Sequence, residues 1–262
     1  MENKIHSIFQ KDHAYINSDW SVKFRNETIR LLREKKVINN EIDELENIHE
    51  HVNNKSLIDY DFNSGVNGIT KTLYDVDTKY MILYHKFLKD LYHKLGFDFY
   101  FQEFPTIRAH CPNAKNQHHY PRYHSDCFYG HPPQEINIWF TLTSNKNSGF
   151  YVINSNNSKK WLDEYSNDSK LFIENAINNE EFNSKGDSLA FEVETNLDKI
   201  FLFDPLCIHT NQPRTSDSRL SIDVRINPVE DFVDGYVGAG RMKAEFKPGG
   251  HFGYHKQSIK EI

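Results

Sequence analysis

Residues 199–228 read KIFLFDPLCIHTNQPRTSDSRLSIDVRINP. In the last ten, Leu220, Ile222, Val224 and Ile226 alternate with Arg219, Ser221, Asp223 and Arg225. Successive residues of an extended chain point to opposite faces, so this segment is a strand with one apolar and one charged face. A charged strand face implies a solvated cavity rather than a dry interior. Just upstream, the run KIFLFDPLCIHTN is strand-like and closes on His209.

Working outward, FDFYFQEF, PTIRAHC, EINIWFTLT, GFYVINS and SLAFEVE give further short β-type runs between Phe97 and Glu194. Each is bounded by Asn, Gly, Pro or Asp, the residues that punctuate turns. About seven strands are therefore expected behind residue 96. Ahead of them the period changes. Residues 19–50 carry apolar side chains at helical spacing around Ile29, Leu31, Leu32 and Val37, with Asp19 or Ser21 as N-cap, and read as a surface helix. DVDTKYMILYHKFLKDLYHKLG places Tyr80, Leu83, Tyr84, Phe87, Leu88, Leu91 and Leu95 on one stripe and stops at Gly96, a suitable left-handed terminator.

The expected fold is mainly β with N-terminal helices (α+β), a helix-buttressed sandwich or barrel. One domain over 1–262 is expected, with 1–96 mostly helical and 97–255 the β-rich core. The Asn-rich tract 154–160 and the segment 166–187 read as exposed connections.

Composition narrows the function. The formal net charge is −6, and Lys and Arg are scattered along the chain rather than gathered in a stripe. That leaves no footprint for a phosphate backbone, so nucleic acid is not an expected partner. No apolar run approaches membrane-spanning length and no signal-like leader is visible; a cytoplasmic location with no membrane association is expected. Cys111, Cys127 and Cys207 form neither a disulfide framework nor a zinc-ligand spacing, and read as reduced thiols.

One His-x-Asp pair stands out, at His124 and Asp126. With 14 His and 37 Asp+Glu in 262 residues, about two His-x-acid triplets arise by chance, so the pair alone is a weak signal. If His124 and Asp126 lie on a strand they point into one cavity. His209, at the end of a strand-like run, supplies a third ligand type. Three protein ligands on one face of an octahedron leave the opposite face open, as a non-haem iron(II) centre requires. Ten residues after His209 comes Arg219-Leu220-Ser221, a guanidinium fork with a hydroxyl on the same strand face, which suits bidentate binding of a carboxylate.

The combination His124-x-Asp126, His209 and Arg219-x-Ser221 resembles the iron(II)- and 2-oxoglutarate-dependent dioxygenase superfamily. PTIR (105–108), YHSD (123–126), YGHPPQEINIW (129–139), IHTNQPRTSDSRLSIDVRINP (208–228) and a Gly-rich tail are similar to its streptomycin-biosynthesis StrG-like branch of small-molecule oxygenases. The resemblance covers roughly 97–255. It implies a double-stranded β-helix (jelly roll), iron(II) held by His124, Asp126 and His209, and 2-oxoglutarate held by Arg219 and Ser221. It further implies O2 as oxidant, succinate and CO2 as co-products, and hydroxylation or a related oxidation of a small polar metabolite such as a sugar, aminoglycoside precursor or amino-acid derivative. Two rivals are a cupin-like metalloenzyme that does not use 2-oxoglutarate and a non-catalytic jelly-roll binding module.

Around this centre, Glu135, Asn137, Trp139, Thr141 and Thr143 share one strand parity, opposite Ile136, Ile138, Phe140 and Leu142. If the polar parity lines the cavity, Asn137 touches co-substrate or substrate; if it faces water, Asn137 is a surface residue. Arg225 either holds an anionic group of the substrate or neutralises Asp223. It lies six residues, roughly 20 Å, beyond Arg219, too far along the strand to be the main co-substrate clamp. Arg108, Tyr129 and His131 are further candidates for substrate contact. His110 and the pair His118-His119 read as exposed residues of a turn-rich segment. His49 and His51 lie on different faces of a helix. Cys127 and Cys207 read as packing residues.

Overall fold

In the computed structural model, which describes residues 4–39, 41–61, 64–116, 123–233 and 253–262, the alternation at 219–228 becomes one strand of ten residues, Arg219–Pro228. In chain order the strands are β1 (His13–Asn17), β2 (Phe99–Phe101), β3 (Thr106–His110), β4 (Ile136–Thr141), β5 (Phe150–Val152), β6 (Phe191–Glu192), β7 (Lys199–Phe203), β8 (His209–Asn211) and β9 (Arg219–Pro228). They form a six-stranded antiparallel sheet in the order β1-β7-β4-β9-β2, with β3 also on β9, and a three-stranded sheet β6-β5-β8. Strand β9 is long enough to pair with β4 on one edge and with β3 and then β2 on the other. All seven expected strands are present.

Two more strands were not legible. β1 is a short edge strand, HAYIN, whose mixed composition shows no alternation. β8 is cut from the expected run ending at His209 by a turn at Asp204-Pro205, where the Asp204 carboxylate accepts from the Leu206 amide (2.8 Å). That turn moves the chain from the large sheet (β7) to the small one (β8).

The apolar parity of β4 and β9 packs against helices α2 (Trp20–Glu34) and α5 (Thr78–Leu95), which follow the short α1 (Lys4–Phe9) and flank α3 (Ile48–His51) and α4 (Gly68–Leu73). Helix α5 matches expectation closely. Asp77 caps it by accepting from the Tyr80 amide, and Gly96 closes it at φ 75°. Helix α2 does not match. It is no surface helix, since Trp20, Phe24, Ile29, Leu31 and Leu32 are buried, and it stops at Glu34. The stop is a Schellman turn: Lys36 donates to Arg33, Val37 donates to Leu32, and Lys36 takes φ 57°. With Lys rather than Gly in the left-handed position, the sequence carries no visible terminator.

The segment expected to be exposed connection is instead three helices, α6 (Ser155–Asp163), α7 (Ser169–Asn178) and α8 (Glu180–Leu189). Asn154, Asp168 and Asn179 read as turn residues because the property that favours turns also makes them N-caps, and each accepts an amide of its helix. Trp161, Phe172, Ile173, Ala176 and Phe182 form a separate core around Tyr123, Ile153 and Ile208. Tyr123 and Ile208 directly precede His124 and His209, so these helices brace both segments from behind.

Gly186 packs so closely that an added Cβ would lie 2.4 Å from the Tyr123 ring. Gly186→Ala is expected to cost about 1–3 kcal/mol of stability through overpacking. Thermal unfolding checks this, and an unchanged melting temperature would contradict the close fit. Among the described residues no helix is long and apolar enough to cross a membrane.

Candidate metal centre and anion pocket

His124 and His209 face each other across an antiparallel bridge in which each backbone N–H donates to the other's carbonyl (3.1 and 2.8 Å). The pairing sets the two imidazoles side by side, with ring centroids 4.5 Å apart. Asp126 is not on a strand with His124, as the alternation argument assumed. It opens a 3-10 turn, Asp126–Tyr129, capped by Ser125. The Ser125 hydroxyl also donates to the Pro205 carbonyl (2.7 Å), tying the turn to the β7–β8 connection.

One donor atom from each of His124, Asp126 and His209 lies within 4.8 Å of the others, and among the described residues this is the one such cluster. His209 Nε2 is 3.6 Å from Asp126 Oδ1. Metal–ligand bonds of roughly 2.1 Å at right angles put neighbouring donors roughly 3 Å apart, so a small contraction would close the set on an ion. His209 Nδ1 is 3.0 Å from the Cys207 carbonyl, which can only accept. As a neutral ligand His209 would therefore carry its proton on Nδ1 and present the Nε2 lone pair to the cluster.

Asp126 is oriented by two residues of the large sheet. Its Oδ2 accepts from Asn137 Nδ2 (2.9 Å) and from Arg225 Nη2 (2.8 Å) and Nε (3.2 Å). With Oδ2 occupied by three donors, Oδ1 is left toward the histidines. Burial alone would raise the Asp126 pKa, but the Arg225 guanidinium, backed by His209, His131 and His124, outweighs it and holds the carboxyl well below the usual range. The polar parity of β4 thus faces the site, and Asn137 pairs in register with Arg225. The ion pair with Asp223 read from the sequence does not form: Asp223 is paired with Arg108, and Arg225 with Asp126.

Behind Arg225 lies a buried polar group in which Gln102 and Tyr254, for which the sequence gives no signal, join Glu135 and His131. Gln102 Oε1 is 3.4 Å from Arg225 Nη1, and Glu135 accepts from the Tyr254 hydroxyl and lies 2.9 Å from His131 Nδ1. His131 is thus a partner of Glu135. Tyr129 lies edge-on to the His124 ring, centroids 5.4 Å apart. Burial pushes the Cys127 and Cys207 thiols well up, in keeping with packing roles. His49 is half-buried and lies 2.8 Å from the Ser218 hydroxyl, whereas His51 is exposed. His118, His119 and the Gly-rich tail lie outside the described residues.

The other end of β9 holds Arg219, 1% exposed. Nη1 donates to the Ser148 carbonyl (2.7 Å) and Nη2 to the Asn211 side-chain carbonyl (2.6 Å). Both acceptors are neutral. Among the described residues Arg219 forms no ion pair, and its Nε and the Ser221 hydroxyl are sealed from solvent without a hydrogen-bond partner. Burial, then the Arg214 charge, lowers its pKa to about 10, so it is still a cation at neutral pH. A buried, charged, half-satisfied guanidinium is costly unless an anion completes it. Asn211 stands two residues after His209, which links this pocket to the metal cluster through β8. Arg108, on β3, is occupied by Asp223 and is part-exposed.

No family model and no curated protein matches the chain. Solved structures do. The chain is similar to the non-heme alpha ketoglutarate dependent epimerase SnoN from nogalamycin biosynthesis, at 10% identity over 97% of this chain and 98% of that one, with a TM-score of 0.51. It is also similar to the carbocyclase SnoK of the same biosynthesis (9% identity, 87% and 84% covered, TM-score 0.47). A third is EctD from S. alaskensis, solved with 2-oxoglutarate and 5-hydroxyectoine (13%, 98% and 84%, 0.46). At such identities the likeness to SnoN is one of fold alone.

Proposed function

We propose that this chain is an iron(II)- and 2-oxoglutarate-dependent oxygenase built on a double-stranded β-helix, the two sheets being its major and minor halves. The observation that carries the reading is Arg219: a buried cation with no ion-pair partner among the described residues, next to an orphaned serine hydroxyl and joined by β8 to a His-Asp-His cluster. The donor set fits the metal, since two imidazoles and one carboxylate with a free oxygen match a facial triad with open positions. The cupin-like rival leaves Arg219 and Ser221 unexplained.

In this reading His124, Asp126 and His209 hold the iron, and Arg219 with Ser221 holds the distal carboxylate of 2-oxoglutarate. Bound iron supplies the site at which O2 oxidises the co-substrate to succinate and CO2 and the substrate in turn. Asn137 and Arg225 keep Asp126 turned so that one oxygen serves the metal. The presence of Asp126, rather than a residue without a carboxylate, favours hydroxylation or a related desaturation or ring closure. A polar, charged sheet face fits a small hydrophilic metabolite of the kind handled by the StrG-like enzymes that the sequence resembles. Tyr129, His131 and Arg108 are proposed to contact it.

The test is succinate formation from 2-oxoglutarate in the presence of iron(II), with small polar metabolites screened by mass spectrometry for a gain of one oxygen or loss of two hydrogens. Turnover is expected to rise with the right metabolite and to vanish in His124→Ala, Asp126→Ala and His209→Ala, each of which removes one of three protein ligands. Near wild-type turnover in any of the three would overturn the triad.

A further inference from the structure

We propose that His110, set by Tyr60, is a third donor to the distal carboxylate of the 2-oxo acid and so selects a dicarboxylic co-substrate over a shorter one. The proposal rests on the co-substrate pocket at Arg219 described above. His110 ends β3 and is the register partner of Arg219 on β9, while Arg108 partners Ser221. Directly opposed residues of an antiparallel pair project from the same face, their Cβ atoms roughly 5 Å apart. His110 therefore stands beside the guanidinium. Its Nδ1 is 2.8 Å from the Tyr60 hydroxyl, and its Nε2 is sealed from solvent with no partner.

The protonation pattern follows from these contacts. Burial, reinforced by the charges of Arg219, Arg108 and Arg214, pushes the His110 pKa well below its usual value, so the ring is neutral and carries one proton. Burial pushes the Tyr60 phenol up, so it keeps its proton. Among the described residues His110 Nδ1 is the one hydrogen-bond partner of that hydroxyl. A phenol that accepted from Nδ1–H would leave its own O–H without an acceptor, so Tyr60 donates and His110 carries its proton on Nε2. Among the described residues the pocket then offers Nε–H of Arg219, O–H of Ser221 and Nε2–H of His110 as three unsatisfied donors, while the Asp223 carboxylate on the same strand face is taken by Arg108. That is the complement of a carboxylate rather than of a keto or hydroxyl group. Tyr60 itself is fixed by its bridge to Asn67 and by its amide, which donates to Lys115 (3.0 Å). The N-terminal helical region thereby contributes to the pocket.

Calorimetry on the full chain loaded with zinc(II) under nitrogen, titrated with 2-oxoglutarate and separately with 2-oxobutyrate, reads this directly. A hydrogen bond to a charged group is worth enough that His110→Leu is expected to weaken 2-oxoglutarate roughly tenfold or more. The affinity for 2-oxobutyrate, which chelates alike but lacks the distal carboxylate, is expected to stay within about twofold, because no bond to it is removed. His110→Gln, whose amide places an N–H near the Nε2 position, should retain most of the affinity. Tyr60→Phe should weaken 2-oxoglutarate a few-fold, with the same selectivity. If His110→Leu does not fold, the glutamine and phenylalanine variants carry the comparison. Unchanged 2-oxoglutarate affinity in the leucine variant, or equal loss of both ligands, overturns the inference while leaving Arg219 in place. Absence of any 2-oxoglutarate binding by the wild-type protein overturns the co-substrate reading itself, and this inference with it.

Discussion

Arg219→Met is expected to raise the dissociation constant for 2-oxoglutarate of the metal-loaded protein by one to a few orders of magnitude. Truncating one partner of a buried, hydrogen-bonded charge pair costs roughly 2–5 kcal/mol, and every 1.4 kcal/mol is about tenfold in affinity. The sign of the stability change makes the test sharper. In the unliganded protein burial, the main cause, lowers the Arg219 pKa to about 10. A base whose folded-state pKa is depressed opposes folding at pH values below that pKa, where it is charged in both states, and the penalty fades only as pH rises above about 10 toward the ordinary arginine value. At neutral pH, therefore, Arg219→Met should not lower the melting temperature of the unliganded protein and should abolish most of the rise that 2-oxoglutarate gives the wild type. A large loss of unliganded stability with unchanged ligand affinity would mean that Arg219 is a structural residue.

Arg225→Met is expected to act on the metal. Arg225 supplies two of the three hydrogen bonds to Asp126 Oδ2, and its loss leaves a buried carboxylate with one neutral amide donor. Removing a partner that orients a metal ligand typically costs 10–100-fold in metal affinity, and breaking a buried ion pair from one side costs about 3–5 kcal/mol of stability. Because a bound cation itself compensates Asp126, the destabilisation should be smaller in the loaded protein than in the metal-free one. Manganese(II) titration and thermal unfolding with and without metal check both expectations. At saturating metal the affinity for 2-oxoglutarate should change little, the reverse of Arg219→Met. Wild-type metal affinity in Arg225→Met would contradict the orienting role.

Much of this arrangement was readable because period-2 alternation is a strong local signal. Along Arg219–Pro228 it fixed the faces of β9, and along 135–143 it separated Asn137 from its apolar neighbours. What alternation cannot show is which long-range partner a side chain finds. Arg225 was read against Asp223 on its own strand, whereas its carboxylate comes from Asp126, 99 residues earlier. His110 reads from the sequence as an exposed turn residue, whereas it ends β3 opposite Arg219 with its Nε2 sealed from solvent; Tyr60, Gln102 and Tyr254 give no signal at all, since each meets the site only through tertiary contacts. The helices at 155–189 were missed because Asn and Asp signal turn and cap alike, and the end of α2 because Lys36 adopts a conformation usually marked by glycine. The rest of the site was visible only in combination: His124-x-Asp126 is near the chance expectation until His209 and Arg219-x-Ser221 are added.

The most direct test of the central claim is anaerobic titration of the iron(II)-loaded chain with 2-oxoglutarate, followed by visible absorption. A 2-oxo acid chelated to iron(II) gives a weak charge-transfer band. The wild-type protein is expected to develop this band saturably. His209→Ala should show none, and Arg219→Met should require far more 2-oxoglutarate to reach it. A wild-type protein that binds iron(II) at His124, Asp126 and His209 yet develops no band at any concentration of 2-oxoglutarate would contradict the account.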